Sequence, residues 1–306
     1  MVPGTVALTG ATGFIGSHLV DRLLTAGVPV RALARRMRAA RAGVEWVVGD
    51  LSTPDALAAL VKGTHAVVNC AGAVRGATWP DFRTTNVEGS VAVARCAHEA
   101  GVRLLQISSL AAREPALSHY ARSKREAEGA VVGCGGRVTV LRPPAVYGAG
   151  DRELKPLLDL MWRGRAVVPR HSGRFSLIHV DDLVDAVVAW LGAPLCPAGP
   201  FEIDDGHARG YSWHEVVDAA ERVSGRAISV LRLPKLVVAV AGSLNGFVGR
   251  VGIGRPMLTR GKVNELYFPD WVCRTGGFEH ATGWRPRVGL DAGLARTFPC
   301  AGAPTT

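Results

Sequence analysis

The sequence predicts an α/β protein: a doubly wound parallel sheet with helices on both faces, followed by a smaller C-terminal lobe. Three observations carry this. From Thr5 to Leu191, short apolar runs alternate with helix-period segments. The apolar runs, such as Val6-Ala-Leu-Thr9 and Ala66-Val-Val-Asn69, are nearly continuous, as in strands buried on both faces. A glycine-rich turn, Gly10-Ala-Thr-Gly-Phe-Ile-Gly16, joins the first run to the first helical pattern.

The predicted strands are Val6–Thr9, Val30–Ala34, Glu45–Val48, Ala66–Asn69, Leu104–Ile107 and Val138–Leu141. The predicted helices are Ile15–Ala26, Pro54–Val61, Asp81–Ala100, His119–Val132 and Asp182–Leu191. Strand–helix alternation of this kind gives parallel pairing with crossovers on both faces. Beyond Leu191 the pattern loosens, and Pro194, Pro197, Pro200, Pro234, Pro256 and Pro269 cut it into short pieces. The expected division is therefore a first domain over 1–192 and a lobe over 193–306, with parts of 145–175 contributing to the lobe. Ligands of such sheets bind outside the carboxyl ends of the strands, so the lobe is where a substrate would be recognised.

The chain has 306 residues, 48% of them apolar, enough for a full core. Its formal charge of +10 would suit a polyanion. The basic residues are scattered, however, with no run of five and no aromatic-interleaved basic stretch, so a nucleic-acid partner is not expected. The cysteines at 70, 96, 134, 196, 273 and 300 form no CxxC pair and stand beside no histidine pair. Neither a metal site nor a disulfide framework is indicated, and reduced thiols fit a cytoplasmic protein. The N-terminus runs almost at once into a strand, so no signal peptide is expected. Leu236–Gly249 is apolar but spans 14 residues and contains Ser243 and Asn245. A membrane span needs about 20 residues. The segment is read as a buried or pocket-covering helix, with an interfacial anchor as the alternative, and stable membrane insertion is not expected.

The glycine turn offers a place for a dinucleotide. Gly10, Gly13 and Gly16 allow a tight turn, a close approach of phosphate and close helix–strand packing. Thr12, Phe14 and Ile15 complete the turn and the helix start, whose free N–H groups and dipole suit a pyrophosphate. NAD-binding chains usually place an acid about 20 residues on. Here the second strand ends in Arg35 and Arg36, with no acid before Glu45, so NADP is favoured and NAD stays an alternative. Asp50, followed by Leu51, ends the third strand and is either an adenine partner or a helix cap. Ala71 and Gly72 follow the fourth strand, where small residues let backbone pass a ribose.

Tyr120 and Lys124 stand at i, i+4 and share a helix face. A phenol beside an ammonium is an acid–base unit, because the cation favours the phenolate and lowers the tyrosine pKa. Paired with a dinucleotide, this suggests hydride chemistry at an alcohol or ketone carbon.

These motifs together resemble one family, the extended short-chain dehydrogenase/reductases, which include the NAD(P)-dependent epimerases and dehydratases. The matching segments are Thr9–Gly16, Gly49–Leu51, Thr85–Gly89, Ile107–Ser109, Tyr120–Lys124, Leu141–Gly148 and Ile178–Leu183, in the family's order. The resemblance implies a Rossmann-type sheet, a Ser/Tyr/Lys catalytic set and a C-terminal substrate lobe. It makes Tyr120 the acid/base and Lys124 the group that holds the nicotinamide ribose. Ser109 would bind the substrate oxygen, with Ser108 as the alternative register and a cofactor neighbour. Asn86 would steady the active-site backbone, and the segment holding Pro143 and Val146 would pass the nicotinamide carboxamide. His179 reads as structural, beside a helix start at Asp181 and Asp182.

One departure narrows the substrate. Sugar-nucleotide epimerases of this family usually carry an arginine before an Asp-aromatic-Ile-His-Val run. Here Phe175 takes that place and Arg174 is one position away, which on a strand is the opposite face. The chain thus looks closer to the steroid-dehydrogenase and dihydroflavonol-reductase branch. The leading expectation is an NADP-dependent oxidoreductase acting on a secondary alcohol or ketone of an apolar or mid-sized small molecule. The alternatives are a nucleotide-sugar epimerase/dehydratase that recycles its cofactor, and a structural protein like the accessory subunit of respiratory complex I. The family often pairs through two long helices, here Asp81–Ala100 and His119–Val132, so a homodimer with a four-helix interface is a further expectation.

Overall fold

The computed structural model describes residues 4–240 and 259–298. All six predicted strands are present: β1 (Val6–Thr9), β2 (Val30–Ala34), β3 (Val44–Val48), β4 (Ala66–Asn69), β5 (Arg103–Ile107) and β6 (Val138–Arg142). After β7 (Ala145–Tyr147), β8 (Arg165–Pro169), β9 (Arg174–Phe175) and β10 (Leu177–His179) comes β11 (Phe201–Glu202), which joins β6. The main sheet is seven-stranded, in the order β3-β2-β1-β4-β5-β6-β11, and each pairing is parallel. The direction of winding reverses between β1 and β4, which opens a crevice at their carboxyl ends.

The strands are buried on both faces because helices cover both. Helix α1 (Phe14–Thr25) and a later helix, Val180–Gly192, supply Leu19, Leu23, Leu183 and Trp190 to one layer. Helices α2 (Pro54–Val61), α3 (Trp79–Phe82), α4 (Gly89–Glu99) and α5 (His119–Gly133) run along the chain in that order. The opposite layer takes Leu57 and Leu60 from α2, Val93 and Ala97 from α4, and Val131 from α5. Each large side chain buried this way contributes about 1.5–3 kcal/mol relative to exposure.

The helix expected over Asp81–Ala100 starts earlier and is not uniform. Between α3 and α4 the residues Arg83–Glu88 form a π-helical segment, and it contains Asn86. Such bulges re-aim one turn of side chains, often at functional positions. The helix expected from Asp182 starts at Val180, because His179 is its N-cap and accepts a bond from the Asp181 N–H.

The lobe is built on a second parallel pair, β8 with β12 (Ser229–Leu233). Helix α6 (Lys155–Trp162) precedes β8, α7 is the Val180–Gly192 helix, and α8 (Trp213–Ser224) precedes β12. Leu158, Met161, Val216, Val217, Leu290 and Leu294 fill the lobe core. Helix α8 starts with a capping box, Ser212 with Glu215, and ends at Gly225 with φ +67°. The remaining elements are α9 (Arg260–Leu266), β13 (Asp270–Trp271), α10 (Gly277–Thr282) and α11 (Leu290–Thr297). Chain beyond residue 192 also completes the first core: β11 extends its sheet, and Ile203, Phe278 and Trp284 pack into it.

The apolar segment Leu236–Gly249 lies only partly within the described residues. Residues 235–240 are helical, with Leu236, Val237 and Val240 exposed rather than buried. Its remainder, and Cys300, lie outside the described residues.

Candidate active site

The cofactor end of the crevice begins at the glycine turn. Gly10 has φ +70°, and a Cβ there would meet the Cys70 and Ala71 backbone at 2.7 Å. A Cβ on Gly16 would lie 2.1 Å from the Gly10 carbonyl oxygen. Only hydrogen fits at either position. Gly13 caps α1 without any side-chain bond, and no acid stands in the first turn. The N–H groups of Phe14, Ile15 and Gly16 therefore have no intrahelical acceptor. Thr12 and Gly13 are exposed at this mouth. The cradle fits a pyrophosphate.

At the next strand ends, Arg35 and Arg36 are exposed. The charge of Arg35 also reaches Asp50 and helps to hold its carboxyl below the usual range, after hydrogen bonds from Ser52 and Thr53. Asp50 Oδ1 accepts from the Ser52 N–H at 2.9 Å, Ser52 Oγ at 2.6 Å and Thr53 Oγ1 at 3.0 Å. Asp50 thus ties its own loop, and the N-cap of α2 is Thr53. Leu51 packs under α4, where a Cβ on Gly89 would come within 2.5 Å of it. After β4, the Ala71 N–H reaches Thr9 Oγ1 at 3.3 Å. A Cβ on Gly72 would lie 3.3 Å from both Asn86 Oδ1 and Lys124 Nζ.

Asn86 is buried and its amide is fully engaged. Its Oδ1 accepts from the Ala73 N–H at 2.7 Å, and its Nδ2 donates to the Ala73 carbonyl at 3.0 Å and Ser123 Oγ at 2.8 Å. The amide clamps the loop after β4 to α5, and the π-helical turn aims it there.

The chemical groups meet at the end of β5. Ser109 caps a short 3-10 turn and accepts from the Ala111 N–H at 3.2 Å. Ser118 caps α5, which places Tyr120 in its first turn and Lys124 one turn on. The Ser109 side chain acts on the Tyr120 hydroxyl and lowers its pKa, and Phe82 meets the phenol ring edge-on at 6.1 Å between centroids. Lys124 is buried, and its ammonium donates to the Ile107 carbonyl at 3.2 Å. Burial lowers its pKa to about 8, against smaller pulls upward from Cys70 and Glu128.

Three expectations change here. Burial is the largest influence on the Tyr120 hydroxyl and raises its pKa, while the Ser109 side chain and the Lys262 charge lower it. Lys124, expected to lower it, sits 6.0 Å from the ring centroid, held against Ile107. Ser108, expected beside the cofactor, turns the other way. Its hydroxyl donates at 2.5 Å to Glu128, which forms a buried pair with Arg142 at 2.6 and 2.8 Å. Successive residues leaving a strand point to opposite sides, and Ser109 lies on the side of Tyr120. Pro143 supports that turn, its carbonyl accepting from the Leu110 N–H at 2.8 Å. Val146 lies on β7, paired with Ile178, and is half-buried against the sheet core.

Arg174 is committed to the lobe. It donates to the Arg209 and Gly210 carbonyls at 2.7 Å and to Glu215 at 2.8 Å, while Phe175 packs on Trp213. Residues that the sequence reading missed come from far along the chain. Glu153, Lys262 and Glu265 all act on the Tyr120 hydroxyl. Only the Ser118-His-Tyr-Ala-Arg-Ser-Lys-Arg-Glu126 stretch around Tyr120 was readable, and nothing in it announces partners that fold back from α9.

Comparison with known proteins agrees with this geometry. Residues 6–196 match the model of the NAD dependent epimerase/dehydratase family. A ceramide reductase of Caulobacter vibrioides is 37% identical over 299 residues, covering 96% of this chain and 93% of that one. A UDP-glucose 4-epimerase of Vibrio cholerae is 29% identical over 241 residues, covering 67% of this chain and 72% of that one. Among solved structures, MoeE5 in complex with UDP-glucuronic acid and NAD superposes with a TM-score of 0.74 at 24% identity, covering 96% of this chain and 97% of that one. That last likeness is one of fold.

Proposed function

Because the chain belongs to the NAD dependent epimerase/dehydratase family, an NAD(P)-dependent enzyme family of the extended short-chain dehydrogenase/reductase type, we propose that it is an NADP-dependent ketone reductase acting on a long-chain substrate of the ceramide class. The observation that carries this is the meeting of Ser109, Tyr120 and Lys124 at the end of β5, beside a turn shaped for pyrophosphate. The 37% identity with a ceramide reductase along nearly the whole chain supports the substrate class.

Bound NADPH would supply the hydride. The residues of this chain supply the rest. The Gly10–Gly16 turn and the first N–H groups of α1 hold the pyrophosphate, and Arg35 and Arg36 meet a 2′-phosphate. Lys124 reaches the ribose hydroxyls with the donors not spent on Ile107, while Asn86 fixes the loop beside it. Ser109 donates to the substrate carbonyl oxygen, and Tyr120 delivers the proton to that oxygen as the alkoxide forms. A phenol whose pKa is raised by burial is protonated at neutral pH, as a general acid for reduction must be. Such positioned proton transfer contributes about 10²–10⁴-fold. Arg174, the arginine nearest the family's phosphate-binding position, is occupied by Glu215 and two carbonyls, and this disfavours the epimerase reading.

The test compares NADPH oxidation with a 3-keto-ceramide against epimerisation of UDP-glucose, in the wild type and Tyr120→Phe. The expected result is NADPH-dependent reduction, abolished in Tyr120→Phe with cofactor binding retained. Turnover of UDP-glucose without net cofactor oxidation contradicts it.

A further inference from the structure

The catalytic phenol is faced from the lobe as well as from the sheet. Helix α9 is seated on the N-terminus of α5. Ser118 donates its hydroxyl to Glu265, and Asn264 Nδ2 reaches the Leu117 carbonyl at 3.4 Å. A Cβ on Gly261 would meet Ser118 Cβ at 2.7 Å, so the two chains touch there. Thr259 caps α9 and accepts from the Lys262 N–H, which puts Lys262 and Glu265 one turn apart on the side that meets α5. Lys262 Nζ donates to Glu265 at 3.2 Å. Glu265 is buried, whereas the Lys262 side chain is 53% exposed.

Two features separate Lys262 from an ordinary surface lysine. Glu265 already holds the Ser118 hydroxyl, so its burial does not depend on the ammonium alone. Gly261, the residue before it, touches Ser118 two residues from Tyr120, so the half-exposed ammonium stands at the start of α5, within electrostatic reach of the Tyr120 hydroxyl and of Glu153 from the loop before α6. Glu153 is itself held by Arg75 at 2.7 Å. An ammonium has three donors, and one is spent on Glu265.

We propose that Lys262 is a specificity residue of the reduction, its remaining N–H donors binding a hydrogen-bond acceptor on the carbon next to the reacting carbonyl, such as the amide oxygen of an N-acylated 2-amino ketone. This rests on the ketone-reductase reading above. The contact fixes which face of the ketone meets Tyr120, because the acceptor and the carbonyl oxygen are then held at two points. It also explains why a lobe helix is pinned to the cap of the catalytic helix by a buried carboxylate: the pin sets the position of the ammonium relative to the phenol. The charges that face the phenol are Lys262 and Glu265 from α9 and Glu153 from the loop before α6, with Lys124 from its own helix beside the ring.

The experiment measures kcat/KM for an N-acylated 2-amino ketone and for a plain ketone of equal chain length, in the wild type, Lys262→Met and Lys262→Arg. Hydrogen bonds to charged groups are worth about 1.5–3 kcal/mol, so Lys262→Met is expected to lower the preference for the amido ketone by about 10- to 150-fold. Lys262→Arg is expected to restore most of it, and activity on the plain ketone is expected to fall far less. Loss of the cation should also move the alkaline limb of the pH profile upward, because Glu265 and Glu153 then act on Tyr120 without opposition from α9. An unchanged preference in Lys262→Met, with an active wild type, overturns this inference alone. A wild type that reduces neither ketone overturns the ketone-reductase reading and this inference with it.

Discussion

Replacing Gly16 with alanine should weaken dinucleotide binding without unfolding the chain. The added Cβ lies 2.1 Å from the Gly10 carbonyl oxygen, 2.7 Å from its carbon and 2.9 Å from Ala11 Cα. All three are backbone, so no side chain can swing away. Cβ contacts under 3.0 Å are essentially never seen, so the Gly10 carbonyl must retreat by about 1 Å. Gly10 cannot absorb the shift freely, because its own missing Cβ is pressed against Cys70 and Ala71 at 2.7 Å. Overpacking of this kind costs about 1–3 kcal/mol. The strain opens the very turn that holds the pyrophosphate, and each 1.4 kcal/mol is about tenfold in affinity, so Kd should rise by about 5- to 150-fold. Gly129→Ala is the control, since nothing lies within 4 Å of a Cβ on that α5 glycine. It should leave Kd unchanged and add up to about 0.5–1 kcal/mol of stability. Isothermal titration with NADP and NAD measures both. Wild-type affinity in Gly16→Ala would refute the argument, since the dinucleotide would then bind somewhere that the turn does not shape.

Other outcomes follow from the same geometry. Asn86→Ala removes the partners of the Ala73 N–H and carbonyl, a loss of about 1–3 kcal/mol that urea denaturation reads, with kcat/KM falling as the loop loosens. Glu128→Ala leaves Arg142 buried without its main partner and should cost about 3–5 kcal/mol in the same assay, whereas Glu128→Gln, which keeps an acceptor for Ser108, should cost less. Lys124 has a folded pKa of about 8, below its ordinary 10.5, so the unfolded chain binds the proton more tightly in that interval. Stability should therefore rise as pH increases above about 8, by at most about 3 kcal/mol from this group, and Lys124→Met should flatten that rise. A stability curve that falls across the same interval, or an equal slope in Lys124→Met, contradicts it.

The sheet was readable because its strands are nearly continuous apolar runs, and runs such as Val6–Thr9 and Ala66–Asn69 have no solvent face to blur them. The glycine turn and the Tyr120–Lys124 spacing were readable because both are local. The π-helical turn at Asn86 was not, since it lies within one continuous helical run and no change of residue pattern marks it. In the lobe, β9, β11 and β13 have two residues each, too few to show a period. Helix α8 did carry a readable signature in Ser212-Trp-His-Glu215 and Gly225, hidden among prolines and glycines that pointed to loops. The pairing of Ser118 with Glu265 joins residues 147 apart, and no local pattern encodes a contact at that separation. The same is true of Lys262, whose relation to Tyr120 exists only in the folded chain.

The central claim is that Tyr120 and a bound NADPH reduce a ketone outright. The most direct test supplies NADPH deuterated at the transferred position together with a 3-keto-ceramide, and reads the product by mass spectrometry. The expected result is one deuterium on the new carbinol carbon, formed with stoichiometric loss of NADPH and absent in Tyr120→Phe. Unlabelled product, or label retained on the cofactor while a nucleotide sugar is epimerised, contradicts the account.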